Sequence, residues 1–258
     1  MTAISSPEIA VQTRDLQKSF GPNHILRGAS IEIPAGAIAC IVGPSGTGKS
    51  VLIKHMLGLL VPDSGEVFVH GRPLSEMSRA EILALRREIG VMFQDGALFS
   101  SMTVYDNAAF PLRQHTDLNE QEVRDLVEDQ LAAVGLLQAA NRYPRELSGG
   151  MRKRAGLARA LMLLPEILLC DEPDSGLDPV RTALLGELLL ERHSTLGGTT
   201  IVVTHDIALA RLISDHVSVL WRGEIIASGP SDEVWASDDP FVQQFLTGDA
   251  EGPLGMDA

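Results

Sequence analysis

Long apolar runs are missing from this sequence of 258 residues. No run approaches the roughly 18 residues that a membrane-spanning helix needs. The start of the chain, Met1 to Asp15, also lacks the basic and then apolar pattern of a signal peptide. We therefore expect a cytoplasmic chain, and any action across a membrane would require another polypeptide to form the channel.

Cysteine is scarce as well. The two cysteines, Cys40 and Cys170, each lie inside an apolar run, and neither has a CxxC partner or a histidine at metal-ligand spacing. Isolated cysteines of this kind are typical of buried residues in a reducing compartment. The pattern argues against a disulfide framework and against a cysteine-based metal centre.

Basic residues are outnumbered by acidic ones. The sequence has 21 Lys and Arg against 34 Asp and Glu, which gives a formal net charge of −13. Because phosphate backbones are bound by Lys and Arg, this balance argues against broad nucleic-acid binding. A nucleotide site stays possible, since it needs only a few local donors. The length fits one large domain, or one domain with a helical insertion.

Short apolar strands alternate with helical patterns along the chain. Ala37–Val42 is a compact apolar run before a glycine, and apolar residues at helical spacing follow Lys49. The alternation predicts an α/β fold with a largely parallel core sheet. Further strands are predicted over Glu8–Gln17, Ile25–Ile33, Glu66–His70, Val91–Gln94, Ile167–Cys170, Thr200–Val203, Val217–Leu220 and Glu224–Ala227, and helices over Ser78–Arg87, within Thr103–Leu137 with Asn119 as an N-cap, within Leu147–Leu163, and over Pro179–His193, Ser231–Trp235 and Phe241–Leu246.

The first motif is a phosphate loop of the form G-x-x-x-x-G-K-[ST], between a predicted strand and a predicted helix. Its glycines let the backbone curl, so that successive N–H groups and the positive helix end hold phosphate oxygens. Lys49 is expected to reach the β- and γ-phosphates, and the Ser50 hydroxyl to ligate Mg²⁺. The loop predicts ATP or another nucleotide without distinguishing kinases, GTPases and transport ATPases. The eight residues are Gly43, Pro44, Ser45, Gly46, Thr47, Gly48, Lys49 and Ser50.

Four downstream segments narrow the class. They are Leu147–Met151 before a helical pattern, Ile167–Pro173, Ser175–Asp178 and Thr204–Asp206. At these residues the sequence resembles the ABC ATPase family, over roughly Val11 to Gly229. The resemblance implies a P-loop NTPase fold with a mainly parallel core sheet, an N-terminal antiparallel β subdomain and a helical signature subdomain near 95–165. We predict one domain over 9–247 and a tail over 248–258.

The resemblance also implies roles for single residues. Asp171 matches the Walker B carboxylate that helps to hold Mg²⁺, and Glu172 matches the catalytic base that polarises the attacking water. His205 matches the switch histidine that contacts the γ-phosphate. Gln94 matches the Gln loop, which senses Mg²⁺ and the attacking water. In the family this loop lies beside the surface that docks the membrane partner. Phe20 matches the aromatic ring that stacks on adenine. Each role has a competing interpretation. Asp171 and Glu172 could form a solvated strand end, His205 could be a structural histidine, and Phe20 could be a core residue.

The signature segment implies a dimer. Ser148 and the N–H groups of Gly149 and Gly150 stand at a helix start, which attracts anions. In the family this helix end faces the γ-phosphate held by the opposite subunit, so two ATP molecules are enclosed in a head-to-tail pair with two-fold symmetry. Asp178 would couple the two sites. Arg152-Lys153-Arg154 could add positive potential at this helix end, but we favour the interpretation of a solvated basic face.

One departure from the family pattern is informative. Met151 stands where the family usually has Gln, and methionine cannot form a comparable hydrogen bond. This form of the signature is similar to the ATPases of Mla and mammalian-cell-entry (Mce) lipid transporters. The resemblance implies a lipid or sterol cargo, an integral membrane permease, Mce-domain partner proteins and a place at the cytoplasmic face of the membrane. Two other segments resemble the same ATPases, Phe93–Phe99 and Pro111–Thr116. Three more resemble the actinobacterial Mce-associated ATPases in particular: Asp171–Ala183, Gln244–Gly248 and Gly252–Met256.

Three other functions stay open. The first is the ATPase of a polar-solute importer of the amino-acid type, although such relatives usually carry Gln-rich signatures. The second is a soluble ABC protein acting on ribosomes or DNA, which would usually have duplicated domains or long coiled coils. The third is a regulatory nucleotide-binding module that does not hydrolyse ATP. The presence of all four expected site residues argues against it: Lys49, Asp171, Glu172 and His205.

Overall fold

The computed structural model describes residues 8–249 and 251–253. The chain divides into two compact units. The first holds the residues up to Ile82 and those from Ile201 onward, and the second runs from Leu83 to Thr200. The predicted helical segment 95–165 thus falls within the second unit. Residues 250 and 254–258 of the predicted tail lie outside the described residues, as does the beginning of the chain.

An antiparallel sheet forms one part of the first unit, with the strand order β2-β1-β4-β5. Along β2 the buried side chains alternate with exposed ones, which is the pattern of a sheet with one face on the core. This sheet confirms the N-terminal antiparallel part of the predicted fold. Its strands are β1 (Ile9–Phe20), β2 (Asn23–Pro34), β4 (Ser64–Val69) and β5 (Arg72–Pro73).

A second set of strands in the first unit has the order β10-β9-β3-β8. The strands are β3 (Ile38–Val42), β8 (Thr199–Thr204), β9 (His216–Trp221) and β10 (Glu224–Pro230). β3 runs parallel to β9, and β10 closes the edge as an antiparallel hairpin with β9. All residues of β3 and β8 are buried, as expected for parallel strands covered on both faces. The helices are α1 (Lys49–Met56), α2 (Arg79–Leu85, which ends in the second unit), α7 (Ile207–Ile213), α8 (Ser231–Trp235) and α9 (Pro240–Thr247).

The second unit joins a short sheet to four helices. β6 (Ile89–Met92) pairs in parallel with β7 (Ile167–Asp171), and the first two residues of β8 also belong to this unit. The helices pack around an apolar cluster that includes Leu112, Val127 and Leu131, each at most 3 % exposed. They are α3 (Val104–His115), α4 (Glu120–Ala133), α5 (Gly149–Leu161) and α6 (Pro179–Leu196).

Every predicted strand and helix overlaps an observed element, and two short observed elements were not predicted. Asn119 caps α4 with a full capping box, because its side chain accepts from the backbone and Glu122 bonds back to the N-cap N–H. β5 and α7 were not predicted. β5 has only two residues and one is a proline, while α7 has seven residues, too few for a clear helical period.

Both cysteines are buried and unpaired as disulfides, as predicted. Burial raises the pKa of the Cys170 thiol to about 12. Among the described residues, no helix has both the length and the apolar character needed to cross a membrane.

Candidate nucleotide site

The phosphate loop in the first unit connects β3 to α1. Gly46 and Gly48 have φ values of +83° and +103°, in a region that glycine enters at little cost. Gly48 is the N-cap residue of α1 and offers no side chain to cap the helix. The positive end of α1 therefore faces the loop, as an anion site requires.

A buried ammonium holds the loop from inside. Lys49 is 4 % exposed, and its Nζ donates to the carbonyl oxygens of Gly43 and Pro44, each at 2.8 Å. The Thr47 hydroxyl donates to the same Pro44 carbonyl at 2.9 Å. These bonds place a fixed positive charge within the curl of the loop.

Close packing explains the first glycine of the motif. A Cβ atom on Gly43 would lie 2.2 Å from the carbonyl oxygen of Leu220 in β9, which is closer than any real contact. A Cβ on Gly48 would meet Leu26 at 3.0 Å, in addition to the strain of its positive φ. The loop conformation is thus fixed by its neighbours in the first unit as well as by its own sequence.

Beside the loop lies an open cavity of about 230 Å³ with a basic rim. Sequence reasoning missed this rim, because its cations come from β2 and from the turn between β9 and β10. The residues around the cavity are His24, Ile25, Arg27, Gly46, Thr47 and Arg222.

Phe20 stands at the end of β1 and is 47 % exposed. This exposure rules out the interpretation of Phe20 as a core residue. The Lys18 ammonium lies 5.7 Å from the centroid of its ring, so one side of the aromatic group already carries a cation.

His205 follows the last residue of β8 in the first unit and is exposed. The turn around it is tightly bonded. The Asp206 N–H donates to the Thr204 hydroxyl at 2.9 Å, and the Asp206 carboxylate caps α7 by accepting from the Leu209 N–H. The histidine is therefore presented from a fixed backbone.

In the second unit, β7 ends at Asp171, and Glu172 follows with φ +45°. This left-handed conformation is uncommon for a residue other than glycine and carries strain. Both side chains are half-buried. The Ser175 N–H donates to the Glu172 carbonyl at 3.2 Å and closes the turn.

Gln94 is joined to this turn directly through Ser175 and indirectly through Lys153. Its amide Nε2 donates to the Ser175 hydroxyl at 2.9 Å, and its carbonyl accepts from Lys153 Nζ at 2.7 Å. Lys153 Nζ also donates to the Glu172 carbonyl at 3.2 Å. The structure thus brings Gln94 and Glu172 together at one ammonium group, and Ser175 is bonded to both of them.

The interpretation of residues 152–154 as a solvated basic face is wrong. Lys153 is 5 % exposed, and burial lowers the pKa of its ammonium, opposed by the charges of Asp174, Asp95 and Glu172. Arg152 and Arg154 are only half-exposed, and they donate to backbone carbonyls of Leu147 and of Val134. The reason is that α5 is packed on several sides, so its cations point into the unit.

The signature residues stand at the start of α5. Ser148 is the N-cap and accepts from the Met151 N–H at 3.3 Å, while Gly149 and Gly150 begin the helix. The Met151 side chain packs against the apolar cluster of the second unit, which gives the departure from Gln a packing reason. Asp178 caps α6 and accepts from the Arg181 N–H at 3.0 Å.

A groove of about 370 Å³ opens elsewhere on the second unit. Two aromatic rings in contact line it, Phe99 and Phe110, with centroids 4.9 Å apart and planes tilted by 56°, and Phe99 is 43 % exposed. The Arg159 guanidinium lies 5.8 Å from the Phe99 centroid. Asn107 fixes this loop by accepting from the Phe99 N–H at 2.7 Å. Arg86, Arg87 and His115 add positive or titratable groups to the rim.

Comparison with known proteins places these features in context. Residues 26–175 match the family model described as ABC transporter. The chain is 48 % identical over 96 % of its length to a probable ribonucleotide transport ATP-binding protein, mkl, of Mycobacterium leprae, of which it covers 72 %. It is 42 % identical over 95 % of its length to the intermembrane phospholipid transport ATP-binding protein MlaF of Escherichia coli, of which it covers 91 %. A dimeric ATP-binding cassette in a post-hydrolysis state with ADP and Pi superposes with a TM-score of 0.78 at 30 % identity, covering 85 % of this chain and 98 % of that one.

Proposed function

Since the chain belongs to the ABC transporter family and is an ATP-hydrolysing subunit, we propose that it powers a membrane permease that moves lipid. The observation that carries the lipid cargo is the 42 % identity to a phospholipid transport ATPase over nearly the whole of both chains. ATP binding closes a pair of subunits, and hydrolysis reopens it. The γ-phosphate is the differential contact, because only the closed pair grips it from both sides.

In the first unit, the loop 43–50 binds the ATP phosphates, and its buried Lys49 supplies the charge nearest to them. The exposed His205, presented from a bonded turn, contacts the γ-phosphate. Its imidazole would lose that contact on phosphate release.

In the second unit, Glu172 acts as the general base and Gln94 orients the attacking water. Within this unit, Asp171 and Gln94 are assigned to Mg²⁺ binding; in the first unit, Ser50 of the phosphate loop carries the same assignment. Carboxylate, amide and hydroxyl oxygens are the ligand types that Mg²⁺ prefers, and the half-buried Asp171 at the end of β7 fits that demand. When bound, the ion supplies positive charge that neutralises phosphate oxygens.

We expect Phe20→Ala to weaken ATP binding. Loss of stacking on adenine would cost about 1–3 kcal/mol, or a rise in Kd of about 5- to 150-fold. Titration with a fluorescent ATP analogue measures it, and Phe20→Tyr should retain the affinity. Phe241→Ala is the matched control, since Phe241 is also exposed in the first unit. Equal Kd values for Phe20→Ala and the wild type would remove Phe20 from the site.

A symmetric dimer completes the site in this proposal. The N-terminal end of α5, with Ser148, Gly149 and Gly150, binds the γ-phosphate held by the other subunit. Space favours this use, because a Cβ on Gly149 would meet nothing within 4 Å. Asp178 lies exposed at the start of α6, where it couples the two sites. The family neighbour with ADP and Pi is itself dimeric.

The groove at Phe99 and Phe110 is the proposed permease dock. Phe99 is exposed and has the Arg159 guanidinium beside its ring, and aromatic residues and arginine are the residue types that anchor protein interfaces. We expect Phe99→Asp to abolish recovery of the permease when this chain is purified from native membranes in mild detergent. Leu126→Asp is the matched control, because Leu126 has similar exposure on α4 of the same unit. Equal permease recovery with both variants would refute the dock.

Mass spectrometry of the same purified complex tests the cargo. A permease with Mce-domain proteins and bound phospholipid or sterol supports lipid transport. A permease of the amino-acid type keeps the motor and overturns the lipid cargo. The name of the mycobacterial relative raises a ribonucleotide cargo. Stimulation of phosphate release by added ribonucleotides, and not by lipid vesicles, would favour that cargo instead.

A further inference from the structure

Lys153 is a buried cation whose hydrogen bonds go to backbone oxygens of two functional segments. Its Nζ donates to the carbonyls of Gln94 at 2.7 Å and of Glu172 at 3.2 Å. The side chain is 5 % exposed and belongs to α5, the helix that begins with the signature residues. One ammonium therefore connects the signature helix, the Gln94 segment and the turn after β7.

The same face of α5 holds the Gln94 segment at two further points. A Cβ on Gly156 would lie 2.8 Å from the Gly96 Cα, so the two backbones are in close contact. Arg159 donates to the Ala97 carbonyl at 2.7 Å and to the Gly96 carbonyl at 3.1 Å. Positions 153, 156 and 159 share one face of the helix. Together with the Lys153 bond, these contacts leave little room for α5 and residues 94–97 to shift independently.

Glu172 needs such support, because a backbone φ of +45° is strained for a residue other than glycine. Strained backbone persists where its surroundings over-determine it, and such residues cluster at active sites. The Glu172 carbonyl accepts from Lys153 Nζ and from the Ser175 N–H. Both donor residues are also bonded to Gln94. Lys153 donates to the Gln94 backbone carbonyl, and the Ser175 hydroxyl accepts from the Gln94 side-chain amide.

We propose that Lys153 is a positioning residue for ATP hydrolysis, which fixes the backbone of Glu172 and holds it in register with Gln94. The proposal rests on the roles assigned above to Glu172 and Gln94. Stability alone gives a poor reason for a lysine here, since burying an ammonium is costly and an apolar side chain of similar size would often be no worse. A geometric requirement at the turn accounts for the retained charge.

The test compares Lys153→Met with Lys153→Arg. Methionine has a similar length and no donor, whereas arginine keeps the cation and its N–H groups. We expect Lys153→Met to lower kcat for phosphate release about 10- to 100-fold, the size of effect that a small misplacement of a catalytic group has. The KM for ATP should stay near the wild-type value, because the phosphate loop is unchanged. Lys153→Arg should recover a large part of the rate.

Arg154→Met is the matched control. Arg154 lies on the same helix and also donates to two backbone carbonyls, those of Val134 and Gly135, which belong neither to the Gln94 segment nor to the turn after β7. Its kcat should stay near that of the wild type. A wild-type kcat in Lys153→Met would overturn the proposal, and so would equal losses in Lys153→Met and Arg154→Met. Unfolding of Lys153→Met below the assay temperature would assign Lys153 to stability and also overturn it.

Failure of the underlying assignments gives a different result. If Glu172→Gln hydrolyses ATP as fast as the wild type, Glu172 is not the base and the proposed mechanism fails first. If Glu172→Gln is inactive and Lys153→Met is fully active, the mechanism stands and only the positioning role is lost. The two variants therefore separate the two conclusions.

Discussion

Replacing Glu172 by glutamine is expected to slow phosphate release by about 100- to 10,000-fold, the usual contribution of a general base. Glutamine has nearly the shape of glutamate but cannot accept a proton from the attacking water. The turn should be preserved, because the Glu172 carbonyl accepts the hydrogen bonds from Lys153 Nζ and the Ser175 N–H, and the substitution leaves that carbonyl in place. ATP should therefore still bind, and the ATP-bound dimer should accumulate.

Three measurements check this expectation on the same samples: phosphate release, equilibrium binding of a fluorescent ATP analogue, and dimer content by size-exclusion chromatography with ATP. Glu187→Gln is the matched control, since Glu187 is an exposed glutamate on α6 of the same unit. Glu187→Gln should hydrolyse at the wild-type rate. Normal hydrolysis by Glu172→Gln would sink the assignment of the base.

The phosphate loop shows how far the sequence reaches. Gly43, Gly46, Gly48 and Lys49 were predicted to form a curled loop between a strand and a helix, and the structure has that loop between β3 and α1. The prediction succeeds because the main constraints are local: positive φ values at two glycines and a lysine that reaches back six residues. The contact that excludes a side chain at Gly43 is not local, since it comes from Leu220, and the sequence does not show it. The basic cavity rim was out of reach, because Arg27 and Arg222 are far apart in the chain.

The α5 helix shows where sequence reasoning fails. Arg152, Lys153 and Arg154 are consecutive, and successive helical residues point about 100° apart, so one of the three must face inward when a helix is packed on several sides. The sequence does contain that signal in the apolar run 155–158, which is buried throughout. The strained φ of Glu172 carries no such signal, since neither its residue type nor its spacing marks the turn.

Replacing Lys49 by methionine is expected to raise the Kd for ATP about 100-fold or more, because hydrogen bonds to charged groups contribute about 1.5–3 kcal/mol each. The effect on folding should be smaller. Methionine fills the same buried space, and removing a buried charge offsets the bonds lost at the carbonyls of Gly43 and Pro44. Titration with a fluorescent ATP analogue and thermal unfolding measure the two effects separately.

Lys54→Met is the matched control, because Lys54 lies exposed on the same helix. It should bind ATP like the wild type. Unchanged affinity in Lys49→Met would mean that the loop binds phosphate without its lysine and would contradict the assignment. Paired with Glu172→Gln, the variant also separates two steps, since Lys49→Met should lose both binding and turnover while Glu172→Gln loses turnover alone. A chain that only sensed nucleotide would lose ATP binding in Lys49→Met. It would show no hydrolysis in the wild type, so Glu172→Gln would change nothing.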